Sequence, residues 1–307
     1  MCHLVGGATG QVETLVLSGG GNYGAMQVGA LQVLVEAGLA PRTIVGTSAG
    51  ALNAISLAAD PTPAGIARMT QLWRRVTDHD VGSLSLLGGL QRLVLHRPSL
   101  FPSHRFARFL LANFPQGVRT FGQLAKLHGV RVYTSAVCIE TEEVRLFGDQ
   151  DDDLLIDGAM ASASLPPYFA PWPVGGRRYL DGGVRTNLPL RAAAERGAGR
   201  MLALWIQPRI KPPTATSGMI PVMTNAFTIM VRNLSRQELA WAEARQLAVR
   251  IIHLTPPADV AFWDFAKADR LIEAGRRAAE AALAEAPLAS PDGWWQRLRF
   301  WRQPSTG

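Results

Sequence analysis

Residues 14–59, TLVLSGGGNYGAMQVGALQVLVEAGLAPRTIVGTSAGALNAISLAA, decide the fold that the sequence predicts. The apolar run Thr14–Ser18 ends in glycines, as a buried parallel strand does, and from Gly24 onward apolar residues recur at helical spacing. A second strand at Thr43–Val45 leads into a second helix over Ala49–Ala59. Strand, helix, strand and helix in this order predict a right-handed βαβ unit at the start of an α/β domain.

The rest of the chain extends this α/β pattern. Alternating residues predict a β-hairpin from Val130–Glu140 and Glu143–Phe147, and further strands are expected at Arg178–Leu180, Met201–Ile206 and Arg250–Leu254. We therefore expect one domain with three layers, α/β/α, around a mainly parallel central sheet.

The predicted domain covers residues 12–285, and its portion 206–285 looks mainly helical. The Gly-rich residues 1–11 are predicted to be disordered, and residues 286–307 form a basic, aromatic tail.

Composition narrows the possible partners. The chain has 31 basic and 24 acidic residues, a net charge of +7 and a pI near 10.1, and all but three of the basic residues are arginines. Such a surface favours polyanions, either nucleic acid or an anionic membrane. Hydrophobic residues make up 48% of the chain, so it can bury a sizeable core and is not a disordered polycation.

The two cysteines argue against stabilisation by crosslinks or metals. Cys2 and Cys138 are far apart and show no metal-ligand spacing, so the sequence predicts neither a disulfide framework nor a metal site, and no cofactor. The N-terminus lacks the pattern of a signal peptide, and no apolar stretch is long enough to span a bilayer. We expect a cytoplasmic protein that can contact the inner face of the membrane without crossing it.

The pentapeptide Gly46-Thr47-Ser48-Ala49-Gly50 is a GxSxG sequence between a predicted strand and a predicted helix. In that context the pattern indicates a nucleophile elbow, in which Gly46 and Gly50 leave room for a sharp turn that exposes Ser48. The following helix directs its N–H groups and positive dipole end at a developing anion. The alternative is a Gly-rich turn in which Ser48 is an ordinary helix N-cap.

The loop Gly19-Gly20-Gly21-Asn22-Tyr23-Gly24 also joins a strand to a helix. It matches the GxGxxG pattern of dinucleotide sites, but the end of the second strand has no acidic residue to bind a ribose. The alternative is an oxyanion hole, because the ends of adjacent parallel strands would bring this loop to Ser48.

A nucleophilic serine requires a base. None of the six histidines lies in a Gly- or Pro-bounded motif, and His253 looks like a strand-end residue. Asp181 is the better candidate because it follows a strand and precedes Gly182 and Gly183, which allow close backbone approach. A surface turn remains the alternative for this Asp-Gly-Gly.

Taken together, these motifs resemble those of the patatin-like phospholipase family, which are a Gly-rich oxyanion loop, a GxSxG serine and a later DGG aspartate. The corresponding segments here are GGGNYG at 19–24, GTSAG at 46–50 and DGGVRTNLP at 181–189. A family-like block, ASASLPPYFAP, lies at 161–171, and the resemblance covers residues 12–205.

The resemblance implies a bacterial-type lipid acyl hydrolase that uses a Ser-Asp dyad and needs no metal. Ser48 would be the nucleophile and Asp181 the base, and Gly19, Gly20 and Gly21 would donate N–H groups to the oxyanion. Phospholipids or other acyl-ester lipids are then the expected substrates, an anionic membrane surface is the expected partner, and nucleic acid is not. One departure is Tyr23, which stands where such loops often have Arg or Lys.

Other functions remain open at this point. Ser48, Asp181 and His253 occur in the order of an α/β-hydrolase triad, and the chain could also be a lipid- or nucleotide-binding module without catalysis. For membrane contact, the sequence predicts an interfacial anchor around Trp294–Arg302 and a lid at Leu84–Leu100.

Overall fold

The computed structural model of the protein describes residues 12–76, 80, 99–210 and 219–288. The predicted disorder of residues 1–11, the predicted anchor in the tail and all but the last two residues of the predicted lid lie outside these ranges.

Strands and helices alternate along most of the described chain, as the sequence predicts. The strands are β1 (Thr14–Leu17), β2 (Thr43–Thr47), β3 (Arg131–Cys138), β4 (Val144–Phe147), β5 (Trp172–Val174), β6 (Arg177–Asp181), β7 (Arg200–Ile206) and β8 (Ala248–Leu254). The helices are α1 (Gly24–Glu36), α2 (Ala49–Ala59), α3 (Pro63–Arg75), α4 (Ser103–Asn113), α5 (Phe121–His128), α6 (Leu155–Ala163), α7 (Leu190–Ala194), α8 (Met219–Ala244) and α9 (Ala268–Glu285). Within the described ranges, no helix is both long and apolar enough to span a bilayer.

All eight strands belong to one mixed sheet. Its order is β5-β6-β3-β2-β1-β7-β8, and β4 pairs with β3 outside this path. The five strands from β3 to β8 along this order are parallel, whereas β4 and β6 run antiparallel to β3. The mainly parallel sheet and the β3–β4 hairpin confirm the predicted α/β fold.

Both faces of the sheet are covered, which is why its central strands are mostly apolar. In β1, Leu15 and Leu17 belong to the larger buried cluster, which includes residues of α1, α2 and α9. Val16, on the opposite face, belongs to a smaller cluster that includes residues of α7 and α8. Because successive strand residues point to opposite faces, this alternation corresponds to three layers.

Helices α1 and α9 approach each other at two glycines. A Cβ atom added at Gly29 would lie 1.8 Å from the carbonyl oxygen of Ile272, and one added at Gly275 would lie 1.8 Å from that of Met26. Neither position can hold a larger side chain without moving a helix backbone. This contact joins the C-terminal helix to the first helix of the domain.

We expect Gly275→Val to lower the free energy of unfolding by about 3 kcal/mol or more, because the added side chain overpacks a contact between two backbones. Ala281→Val is the matched control, since Ala281 is exposed on the same helix and the change there should cost less than about 1 kcal/mol. Urea denaturation of both variants tests this, and equal losses would contradict the close contact.

Candidate active site

One edge of β3 brings the ends of two other strands together. β2 runs parallel to β3 and ends at Thr47, opposite Ser135, whereas β6 runs antiparallel and ends at Asp181, opposite Ala136. Since β4 occupies the other edge of β3 over Thr134–Val137, β2 and β6 must share one edge and meet end to end. Ser48 follows the end of β2 directly, so this register places it beside Asp181.

Ser48 sits on a strained turn between β2 and α2. Its backbone has φ 56° and ψ −126°, a conformation that L-residues rarely adopt and that is found at nucleophile elbows. The side chain is only partly buried and accepts no helix-capping hydrogen bond, so the interpretation of Ser48 as an ordinary N-cap does not hold. Its N–H donates to Oγ of Ser162 at 2.9 Å, which helps to hold the turn.

The two glycines of the pentapeptide are required by close backbone contacts. A Cβ added at Gly46 would lie 2.4 Å from the carbonyl oxygen of Gly50, and one added at Gly50 would lie 2.4 Å from that of Leu17. The start of α2 therefore packs closely against the end of β1 and against the end of β2, the strand that precedes it. A side chain at either position would displace Ser48.

Asp181 is a buried carboxylate with few partners. Its Oδ1 accepts a hydrogen bond from the N–H of Gly183 at 2.7 Å, while the buried Oδ2 has no partner of full hydrogen-bond geometry among the described residues. Burial raises the pKa of Asp181 to about 7, and hydrogen bonding by the Ser48 side chain and the Gly183 N–H opposes this rise only in part. The Ser48 hydroxyl thus lies near enough to affect the carboxylate without being fully aligned on it, as is common in unliganded sites.

Asp181 can approach Ser48 because Gly182 has no side chain. A Cβ there would lie 2.2 Å from Oγ of Ser135. The same Ser135 Oγ is 2.6 Å from Oγ1 of Thr47, the residue before the serine. The Asp-Gly-Gly turn is therefore an inner wall of the site rather than a surface turn.

The glycine loop faces Ser48, but its three glycines are not equivalent. A Cβ at Gly19 would lie 3.2 Å from Cβ of Ser48, so the loop does reach the serine. The N–H of Gly19, however, donates to the carbonyl oxygen of Asn187 at 3.0 Å. The N–H groups of Gly20 and Gly21 have no acceptor among the described residues. This corrects the expectation for Gly19, whose N–H is already engaged.

Asn22 and Tyr23 tie the glycine loop to the segment 260–265. The amide nitrogen of Asn22 donates to the carbonyl oxygens of Ala261 and Asp264 at 3.0 and 3.1 Å, and its Oδ1 accepts from the N–H of Trp263 at 3.0 Å. The Tyr23 hydroxyl donates to a further carbonyl oxygen in the segment, that of Val260, at 3.1 Å.

This tether explains the departure at Tyr23. Burial, with a smaller contribution from nearby Asp264, raises the pKa of Tyr23 to about 12, so its hydroxyl stays neutral. The Tyr23 side chain therefore stabilises the loop by binding it to the segment 260–265. The same segment also covers Gly21, since a Cβ there would lie 2.6 Å from the ring of Phe262, which leaves no open phosphate cradle at that glycine.

An apolar cavity opens beside Ser48. It encloses about 890 Å³, counting the part open to solvent, and Gly21, Ser48 and Ala49 lie on its wall. The apolar side chains that line it come from α2, α3, α4, the region around α6 and the segment 260–265. They are Leu52, Met69, Leu72, Trp73, Val76, Phe106, Phe109, Leu110, Phe114, Leu165, Phe169, Trp263 and Phe265.

Apart from Ser48, the polar side chains on the cavity wall already donate hydrogen bonds within the protein. Asn53 donates to the Gly24 carbonyl oxygen and to Gln27, and accepts a hydrogen bond from Trp73. Ser56 and Asn113 each donate to a carbonyl oxygen in their own helix. Most of the cavity wall is therefore apolar, and its polar side chains other than Ser48 already make hydrogen bonds. Such a cavity suits a hydrocarbon chain.

His253 lies outside this site. It is in β8, which is separated from β2 by β1 and β7, so its backbone is about 14 Å from the end of β2 at the usual strand spacing. Its ring lies beside Trp205, with centroids 5.5 Å apart. The structure therefore does not assemble the Ser48, Asp181 and His253 triad.

Two buried polar residues complete the site and were not singled out from the sequence. Ser162 binds the Ser48 N–H, and Asn187 lies between the glycine loop and the Asp-Gly-Gly turn, with a side-chain amide nitrogen that has no partner among the described residues. Ser162 lies in the block 161–171 and Asn187 in the block 181–189, so the motifs included both residues without indicating which contacts they make. Nothing in the sequence marked the segment 260–265. Within the described ranges, no three His, Cys, Asp or Glu residues are arranged to hold a metal ion.

Comparison with known proteins gives relatives over most of the chain. The protein YqhO of Bacillus subtilis strain 168, whose name describes it as uncharacterized, is 26% identical over 289 residues, which are 88% of this chain and 97% of that protein. The mouse patatin-like phospholipase domain-containing protein 7 is also 26% identical, over 287 residues, which are 87% of this chain but only 20% of that protein.

Solved structures give more distant likenesses. VipD from Legionella pneumophila has a TM-score of 0.48 at 12% identity, covering 90% of this chain and 67% of that one. Human group IVD cytosolic phospholipase A2, in complex with methyl γ-linolenyl fluorophosphonate, has a TM-score of 0.47 at 13% identity, covering 90% of this chain and 58% of that one.

The family profile described as patatin-like phospholipase matches residues 15–194, more than half of the chain. The matched range contains Ser48, Asp181 and the glycine loop. The chain belongs to the patatin-like phospholipase family.

Proposed function

We propose that this protein is a serine lipid acyl hydrolase, a phospholipase A or lysophospholipase-type esterase. Ser48 is the nucleophile, Asp181 is its base, and the N–H groups of Gly20 and Gly21 form the oxyanion hole. The observation that carries the proposal is the buried carboxylate of Asp181 beside a partly buried serine on a strained turn, on the wall of an apolar cavity.

The proposed reaction has two stages. The Ser48 hydroxyl attacks the ester carbonyl carbon while Asp181 takes its proton, and the carbonyl oxygen gains the negative charge that the glycine N–H groups stabilise. When the tetrahedral intermediate collapses, Asp181 passes the proton to the leaving alcohol and an acyl-Ser48 ester remains. Asp181 then takes a proton from water as the water attacks this ester, and it returns that proton to Oγ of Ser48 as the bond to the acyl group breaks, which releases the fatty acid and the free serine.

The raised pKa of Asp181 supports its role as the base. A carboxylate with an ordinary pKa near 4 is a weak base toward a hydroxyl, and general-base catalysis is most efficient when the pKa lies near the working pH. Burial brings the pKa of Asp181 to about 7, so that a substantial share of the group is ionised at neutral pH and that share is more basic than an ordinary carboxylate. No histidine is then needed.

The cavity supports a substrate with a long acyl chain. Transfer of a hydrocarbon chain from water into this cavity would be favourable by about 0.8 kcal/mol of free energy for each buried CH₂ group. Because Asn53, Ser56 and Asn113 on the wall already donate hydrogen bonds within the protein, an entering chain leaves the Ser48 hydroxyl and the Gly21 N–H to interact with its ester group. Phospholipids and other acyl-ester lipids are therefore the proposed substrates, and the cytoplasmic face of an anionic membrane is the proposed place of action.

We expect Ser48→Ala to lower fatty acid release by at least about a thousandfold, because it removes the nucleophile. The measurement is acid release from a panel of phospholipids, lysophospholipids and triacylglycerols. His253→Ala is the control and should keep activity within about twofold, since His253 lies three strands away. A loss in the histidine variant comparable with that of Ser48→Ala would overturn the dyad.

Asp181 should make both activity and stability depend on pH. The rate constant kcat/KM should fall as pH drops below about 7, because the protonated carboxyl cannot act as a base. For stability, the folded state keeps a proton that the unfolded chain loses near pH 4, so ionisation destabilises the fold as pH rises from about 4 to 7.

The variant Asp181→Asn cannot ionise at this position, so it loses both the activity and the destabilisation that ionisation of Asp181 causes. The free energy of unfolding of Asp181→Asn minus that of the wild type should increase between about pH 4 and pH 7, by at most about 4 kcal/mol. Above about pH 7 this difference should stay constant. Urea denaturation at about pH 5, 6 and 8 measures this difference. A difference that is the same at all three values would contradict the raised pKa.

Asn22→Ala should lower kcat about ten- to a hundredfold with little change in KM, because the glycine loop would lose three hydrogen bonds that hold its donors in place. Steady-state kinetics on a soluble ester provides the test. Asn113→Ala, which removes another side-chain amide at the cavity, should leave kcat nearly unchanged. An unchanged kcat in Asn22→Ala would show that the tether has no catalytic role.

A further inference from the structure

The first half of α8 exposes an apolar face. Val222, Met223, Ile229 and Met230 are 55%, 53%, 44% and 56% exposed. Each of them is three or four residues from the exposed Ala226, so the five residues lie along one side of the helix. Large apolar side chains gathered in this way on a surface indicate contact with a partner or a membrane.

The same helix packs on the protein through a different side. Thr228, Val231, Ser235 and Ala242 are buried. The exposed face is therefore not the one through which the helix packs on the protein. The composition of the exposed face also changes along the helix. Toward the C-terminal end of α8 the face carries Arg236 and other polar residues.

The apolar half of α8 lies at the active-site end of the molecule. β7 and β8 are parallel, so the helix between them must return the chain from the carboxyl edge of the sheet, where Ser48 lies, to the opposite edge. The carboxylate of Glu238 accepts a hydrogen bond from the N–H of Arg191 at the start of α7, just after Asn187, which itself contacts the glycine loop. Residue 238 is thus already close to that edge, and Val222 lies about 24 Å farther along the helix axis.

The charge of this helix suits an anionic surface. Its sequence from 219 to 237 contains no acidic residue, and Arg232 and Arg236 follow the apolar half within two turns. A long arginine side chain can reach lipid phosphates while apolar neighbours enter the acyl region. The net charge of +7 adds attraction to an anionic leaflet.

We propose that the apolar half of α8, residues 222–230, docks on an anionic lipid bilayer and turns the mouth of the active site toward it. A bilayer, unlike a protein partner, has an apolar interior below a charged surface, which matches the change from apolar to basic along the exposed face. The docking explains how the protein would reach lipids that do not leave the membrane, and in this respect it rests on the proposed function.

The test uses the full chain with Ser48→Ala, so that vesicles are not degraded, and vesicles of phosphatidylcholine with and without about 30% phosphatidylglycerol. We expect the double change Ile229→Glu and Met230→Glu to weaken sedimentation with the anionic vesicles at least about tenfold. Leu127→Glu is the matched control, because Leu127 is 43% exposed but lies at the end of α5, before β3 begins at the opposite edge of the sheet. This control should bind as tightly as the parent.

In the active chain, the double variant should lose hydrolysis of vesicle lipids while keeping hydrolysis of a soluble short-chain ester. Equal vesicle binding by the double variant and the Leu127→Glu control would overturn the proposal. So would a dimer in solution that the double change dissociates, since that would assign the face to a second copy. If the parent binds vesicles through this face but hydrolyses no ester, the proposed function fails and the docking stands.

Discussion

The site depends on the pairing register along one edge of β3. β2 and β6 share this edge and run toward each other, so their last residues, Thr47 and Asp181, lie opposite consecutive residues of β3. A slip of one residue in either pairing would turn a side chain to the other face of the sheet. The separation between Ser48 and Asp181 is thus set by backbone hydrogen bonds within the central sheet. Two parts of the chain that are more than 130 positions apart meet there.

Much of this arrangement could be predicted from the sequence. The βαβ unit follows from local periodicity, and the GxSxG and DGG motifs mark turns in which glycine is needed for steric reasons, as the contacts of Gly50 and Gly182 show. Adjacent parallel strands also brought the glycine loop to Ser48, as expected. These features depend on short stretches of chain and on general rules of sheet topology, which is why a single sequence carries them.

Other parts of the site depend on contacts between distant segments that have no local signature. The engagement of the Gly19 N–H by Asn187 could not be foreseen, because any carbonyl oxygen can accept that hydrogen bond. The sequence marked Tyr23 only as a departure from a pattern, whereas its hydroxyl and Asn22 fasten the loop to the segment 260–265. Trp263 and Phe265 line the cavity although they lie beyond the range that matches the family.

The tether between Asn22 and the segment 260–265 has a consequence for the order in which the protein is made. Ser48 and Asp181 leave the ribosome well before residues 260–265, which hold the glycine loop and form part of the cavity wall. Helix α9, which packs against α1 at Gly275, follows later still. A nascent chain therefore has Ser48 and Asp181 before its glycine loop is anchored and its apolar cavity is complete. On the proposed function, hydrolysis would therefore begin only after the C-terminal segments have folded onto the glycine loop.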